Sequence, residues 1–253
     1  MAKQDGLLQF NGTIGNLSFY KTRNGGFEVR KKSGVSPQRI ATDPKFAMLR
    51  ANGVEFGQAG RAGKLIRAAF GVAMKNIADR GVSNRLTSLC KSIIKSDTLN
   101  EVGKRQLLEG ELSKLEKFEF NALSPLDTSF LAQFTHAFDR AAGTASINIP
   151  VFNPAEMVIP PSNATHFRIR ASAAALNFGD FKFISGQIAS EPFSLGEAIA
   201  APINLSVPLP PNSTDALLVA ISIEFIKEDG NHQADVLNSA YNAMRLVGVN
   251  VAP

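Results

Sequence analysis

The sequence predicts an α+β protein: a basic N-terminal β-hairpin arm over residues 1–40, a small helical segment over 41–117, and a C-terminal antiparallel β-sandwich over 118–253. Three observations predict it. Asn24-Gly25-Gly26 sits between alternating apolar residues, and tight hairpin turns need the positive φ that Asn and Gly tolerate. Apolar residues then recur at steps of three and four from Phe46 to Ile94, the period of a helix. From about Lys114 the period becomes alternating, and short strands separated by turn signals fill the rest.

In the arm, Thr13–Tyr20 forms one strand and Phe27–Lys32 the other. Leu17, Phe19, Phe27 and Val29 are few apolar residues for a fold, and an isolated two-stranded hairpin is marginal in water. The arm must therefore pack on the rest of the chain or on a neighbouring copy. A linker, Ser33–Thr42, follows it.

Asp43-Pro44 opens a helix, with Asp as N-cap and Pro in the first helical position. Along it, Gly53, Gly57, Gly60 and Gly63 together cost about 4 kcal/mol of propensity relative to alanine. That cost predicts a second backbone very close by, or a broken helix. Leu65, Ile66, Phe70, Ala73, Met74 and Ile77 continue the period until Arg80-Gly81 ends it. Ser83 caps the next helix, whose stripe is Leu86, Leu89, Cys90, Ile93 and Ile94. Cys90 on that stripe reads as a small core residue. A further helix is expected over Asn100–Gly110.

Phe118–Phe120 reads as a strand, and Phe130–Phe138 with Thr144–Val151 as a second hairpin around Asp139–Gly143. Strands follow at His166–Leu176, Asp180–Gln187, Ala201–Val207, Ala216–Lys227 and Asn242–Val251, about seven in all for a sandwich. Pro160–Thr165 and Pro210–Thr214 resemble each other as two strand entries.

Composition narrows the functional classes. The hydrophobic content of 44% and charged content of 19% suit a folded chain, with 18 Phe and no Trp. The N-terminus shows no continuous apolar h-region, so synthesis in the cytoplasm without a signal peptide is expected. No membrane span is expected, because the longest apolar-rich run, Leu217–Ile226, is too short and contains Glu224. A single cysteine excludes an internal disulfide framework. His136, His166 and His232 lie apart without ligand spacing, so neither metal nor cofactor is expected. No nucleophile elbow or phosphate-binding loop is present, no carboxylate pair is nominated, and no catalytic residue is assigned. The chain reads as a non-enzyme.

Charge is uneven. Residues 1–117 hold 21 Lys and Arg against 10 Asp and Glu, whereas residues 118–253 hold 6 against 12. Such asymmetry suits an anionic partner of the first half, or head-to-tail association of identical subunits. Two readings follow. In the first, the chain is a structural subunit that self-assembles into a homo-oligomer, filament or virion-like particle, with Leu17, Phe19, Tyr20 and Phe27 packing on a neighbour. In the second, the basic patch Lys21, Arg23, Arg30, Lys31, Lys32 and Arg39, interleaved with aromatics, binds nucleic acid.

The stretch GTIGNLSFYKTRNGGFEVRKKSGVSPQRIATDPKF, followed by R-x-N-G-x-E-F-G-x-A from Arg50 to Ala59, resembles the opening of an uncharacterised protein family abundant in Bacteroidota genomes. Phe118–Asn121, Asn148–Phe152, Ala164–Phe167 and Tyr241–Ala243 extend the resemblance over nearly the whole chain. It implies kinship and transfers no catalytic residue, because no function is attached to the family.

Overall fold

The computed structural model describes residues 2–23, 25–31, 34–77, 79–229, 232–235 and 239–252. The chain divides into two compact units, Met1–Arg50 and Ala51–Pro253. Asn24 in the expected turn and Lys32 in the expected basic patch lie outside the described residues.

The first unit corrects the two-stranded hairpin. Four antiparallel strands, β1 (Ala2–Lys3), β2 (Gly12–Ile14), β3 (Leu17–Lys21) and β4 (Phe27–Lys31), form a sheet in the order β1-β4-β3-β2. The stretch expected as one strand, Thr13–Tyr20, turns back on itself at Gly15-Asn16 and sets Ile14 opposite Leu17. Gly15 has φ +57°, and the first central residue of a type II′ turn is where glycine is required. The expected linker also differs: it contains helix α1 (Pro37–Thr42), with Ser36 accepting from the Arg39 amide and Pro37 at its start. Asp43 accepts from the Lys45 amide over a 3₁₀ turn, Pro44–Phe46, that leads into α2 (Ala47–Ala69).

In the second unit, α2 runs unbroken through its glycines. Only Gly63 makes the close approach that the sequence demanded. A Cβ there would come within 3.4 Å of the Thr87 nitrogen on α3 (Val82–Lys95). At Gly53, Gly57 and Gly60 an added Cβ would meet nothing within 4 Å, and nothing in the structure explains them. Gly81 stands before α3 as its N-cap, and Ser83 lies inside that helix. No side chain caps α3, and Asp79 accepts from the Gly81 amide ahead of it and pairs with Arg85.

No helix forms over residues 100–110. The Asp97 carboxylate takes the amides of Leu99, Asn100 and Gln106 and the Asn100 side chain at 2.8–3.1 Å, which fixes the segment as a loop. Gly103, at φ +91°, donates to the fully buried Glu55 at 2.8 Å. Desolvation raises the Asp97 pKa, and the four hydrogen bonds outweigh it and hold the carboxyl at about 2. A free Asp titrates at about 3.9, so the ionised form stabilises the fold above that pH and the stabilisation is lost as pH falls through about 2. Asp97→Asn is expected to be less stable at neutral pH and to flatten the fall in the urea midpoint between pH 4 and 2. A parallel acid limb in wild type and variant would contradict this.

Nine further strands complete the unit among the described residues: β5 (Thr135–Asp139), β6 (Thr144–Ile149), β7 (His166–Asn177), β8 (Lys182–Ala189), β9 (Phe193–Ser194), β10 (Ile203–Pro208), β11 (Ala216–Asp229), β12 (His232–Asp235) and β13 (Ala243–Asn250). Short helices α4 (Leu126–Ser129) and α5 (Pro154–Met157) lie between them. Phe118–Phe120 hydrogen-bonds alongside β13 as a single bridge, Glu119 to Arg245. One sheet runs β10-β6-β5. The other runs β12-β11-β7-β8, with β13 also on β11 and β9 also on β7. The two similar Pro-rich entries lead into β7 and β11, which pair antiparallel at the centre.

These central strands are buried on both faces. Phe167, Ile169, Ala171, Ala173 and Ala175 of β7 and Leu217–Phe225 at odd positions of β11 pack with Ile147, Ile149, Leu205 and Val207 of the three-stranded sheet. Their even positions, among them Ala174, Leu176, Leu218 and Ala220, pack with Ile66, Phe70, Leu86, Cys90 and Ile93 of the helical layer. The class is therefore α+β, with the helices sharing a core with the large sheet. Cys90 is fully buried, and burial pushes its thiol up to about 12. Among the described residues no helix is long and apolar enough to cross a membrane.

Candidate functional site

The N-terminal sheet concentrates the residues that the sequence singled out, and its register sorts them by face. Directly opposed residues on antiparallel strands share a face, and successive residues alternate. Leu17 faces Lys31, Phe19 faces Val29 and Lys21 faces Phe27, with Ile14 and Gly12 of β2 and Ala2 of β1 continuing the same side. That side is an apolar stripe, Ile14-Leu17-Phe19-Val29-Phe27, with Lys21 and Lys31 at its margins. The opposite side holds Lys3, Thr13, Ser18, Tyr20, Glu28 and Arg30.

Leu17, Phe19 and Phe27 are thus brought together, and Tyr20 is turned away from them. Tyr20 donates to Glu28 at 3.0 Å, and Arg30 lies 5.5 Å over its ring. The hydrogen bond to the Glu28 carboxylate raises the Tyr20 pKa. The basic residues divide similarly. Lys21 sits 5.5 Å over the Phe27 ring, and Arg23 is exposed in the loop that Thr22 closes by bonding both backbone groups of Gly26. Lys31 is on the apolar side, Arg30 on the polar side, and Arg39 pairs with Asp43 at 3.2 Å on α1. They do not form one stripe.

Sequence reasoning missed Leu7, Leu8, Phe10 and Ile14. Gln4 anchors their segment, donating to the Glu28 carbonyl at 3.1 Å and accepting from the Phe10 amide at 2.9 Å. Phe10 then meets Phe19 edge-on with ring centroids 5.7 Å apart. Leu7 stands fully exposed, Leu8 is 76% exposed, Ile14 61% and Leu17 43%. None of the described side chains of residues 2–50 is buried. Within residues 1–50, Phe19, Phe27 and Val29 are half-buried and Ile14 and Leu17 exposed, and an isolated sheet of this size is marginal.

Elsewhere the polar clusters are structural. Arg245 joins Glu119 and Asp127, and Arg140 ties the Ser213 and Asp215 carbonyls to Asn250. Burial raises the Glu119 pKa, while the hydrogen bond from Arg245 lowers that of Asp127. Among the described residues no three His, Cys, Asp or Glu side chains group as metal ligands would. No protein-family model matches the chain, and no curated protein matches it.

Proposed function

We propose that this chain is a structural subunit that self-assembles, its N-terminal sheet laying the Ile14-Leu17-Phe19 side on a neighbouring copy. The observation that carries the reading is that, within residues 1–50, no described side chain is buried, Ile14 and Leu17 of the apolar side being exposed and Phe19, Phe27 and Val29 half-buried. Covering that side removes apolar area from water at roughly 25 cal/mol per Å². A second copy is the occupant because the charges fit: residues 1–50 hold 9 Lys and Arg against 3 Asp and Glu, and residues 118–253 are net acidic. Lys21 and Lys31 at the margins of the stripe are placed to meet that acidic surface. In the same proposal, residues 118–253 form a β-sandwich that serves as the body of the subunit, and the chain belongs with the Bacteroidota family that its N-terminal signature resembles. The division of the basic residues between two faces and α1 favours a protein partner over nucleic acid.

The test is light scattering and negative-stain microscopy on wild type and on the double variant Ile14→Glu, Leu17→Glu, with the ratio of absorbance at 260 to 280 nm recorded. Large, regular, nucleic-acid-free particles from wild type, and their loss in a variant with unchanged circular dichroism, are expected. An unchanged size distribution in the variant would remove the sheet from assembly. A monomer that carries nucleic acid would replace this reading with the second one.

A further inference from the structure

A second surface, independent of the N-terminal sheet, lies on the opposite part of the sequence. Strand β8 is the edge of the large sheet, paired along its whole length by β7 and by no strand on its other side among the described residues. Six of its eight residues are exposed, and Phe183, Ile184 and Ile188 are among them at 39%, 59% and 39%. Its pairing with β7 has no bulge, it contains no proline, and Lys182 at its start is its only charge. From Phe183 to Ala189, roughly 24 Å of strand, bulges, prolines and charges that keep sheet edges from pairing are therefore missing. Strand β10 fixes this edge from one side: a Cβ on Gly186 would come within 3.0 Å of the Val207 side chain and 3.3 Å of the Pro208 carbonyl.

We propose that β8 docks a second copy of this chain through its own β8, the two strands pairing antiparallel across a two-fold axis at Gly186. A two-fold axis normal to the sheet keeps each residue on its own face, so opposed positions must have the same parity. With the axis at Gly186, Ile184 lies opposite the partner's Ile188 on one face. Phe183 lies opposite the partner's Ala189, and Ser185 opposite the partner's Gln187, on the other. Lys182 then falls opposite the partner's Ser190, so no charge is set against an isoleucine on that face. Moving the axis to Ser185 sets Ile184 against Gly186 and Lys182 against Ile188, and moving it to Gln187 sets Ile184 against Ser190. Of these three registers only that at Gly186 sets Ile184 against Ile188. The result is one continuous sheet across two subunits, with Ile184 and Ile188 covered.

Mixing full-length Ser185→Cys protein with full-length Gln187→Cys protein under mild oxidation tests the register. A disulfide-linked dimer is expected in the mixture and not from either variant alone, because identical positions lie about 8 Å apart across the axis, beyond disulfide reach. The native Cys90 is buried and stays silent. Independently, Ile184→Lys with Ile188→Lys is expected to weaken self-association in sedimentation by roughly tenfold or more, with circular dichroism unchanged. Equal cross-linking of the single variants, or a dimer indifferent to the two lysines, overturns the pairing. Introducing Ile14→Glu and Leu17→Glu into the cysteine proteins separates the two interfaces. The cross-link is expected to survive, and its loss would assign the β8 edge to a neighbour's N-terminal sheet and overturn the symmetric pairing.

Discussion

Gly110→Ala is expected to cost about 4 kcal/mol or more, a large part of the 5–15 kcal/mol that holds a domain together. A Cβ at residue 110 would lie 2.1 Å from the Ile93 carbonyl oxygen and 2.9 Å from its carbon. Neither partner can yield. The Ile93 carbonyl closes α3 by accepting from the Ser96 amide at 3.0 Å and its hydroxyl at 2.6 Å. Gly110 is held by its own bond to the Leu107 carbonyl at 3.2 Å and by Leu112 bonding back to it at 3.0 Å. Moving the loop would withdraw Leu107 and Leu112 from the core beneath the helices. Gly57→Ala provides the opposite sign. Its Cβ meets nothing, so removing a helical glycine is expected to stabilise the chain by about 1 kcal/mol. Urea unfolding measures both, and equal midpoints for the two variants would refute the packing described around Gly110.

Arg170→Met is expected to destabilise by about 3–5 kcal/mol, and the double change Arg170→Met, Glu224→Leu to recover most of that loss. Arg170 on β7 and Glu224 on β11 form a two-pronged pair, Nε to Oε1 and a terminal nitrogen to Oε2, both at 3.2 Å. Glu224 is 2% exposed. Removing the guanidinium strands a carboxylate in a site where water cannot solvate it. Removing both groups leaves an apolar site of similar volume on the face that already packs against helices. A double-mutant cycle by denaturant unfolding separates the pair from its surroundings. A single substitution that costs under about 1 kcal/mol would mean that Glu224 reaches water.

How far the sequence could be read depended on whether partners lay nearby in the chain. The long strands β7 and β11 were legible because β-branched and small apolar residues dominate them, with few polar residues between. Their assignment to two different cores was not, because strands buried on both faces lose the alternation that marks a side. The turn at Gly15-Asn16 did leave a signal. Ile14 and Leu17 would fall on opposite faces of one continuous strand, and a two-residue turn sets them on the same face. Ser36-Pro37 likewise announced α1 inside what reads as a linker. The loop after Asp97 left none, since a carboxylate that gathers amides up to nine residues away competes with helix formation only once it is buried. The Arg170–Glu224 pair, 54 positions apart, was equally invisible. The candidate surface was half legible: Leu17, Phe19 and Phe27 stand out by alternation, whereas the edge-on contact of Phe10 with Phe19, from the segment before β2, left no signal in the sequence.

The sharing of β7 and β11 between two cores also dictates an order of events on the ribosome. The helices over residues 51–117 are synthesised early, yet the surface they need is made of Ala174, Leu176, Leu218, Ala220, Met244 and Leu246. At about 5–20 residues per second, those helices wait of the order of ten seconds for β13 to emerge. The N-terminal sheet waits for nothing, since its partners all lie within residues 2–31. Each nascent chain therefore displays a sticky apolar sheet before it owns a finished body. Under the proposed assembly, polysomes would bring many such sheets together, and translation itself would be the stage at which neighbours first meet and at which a chaperone has most to shield.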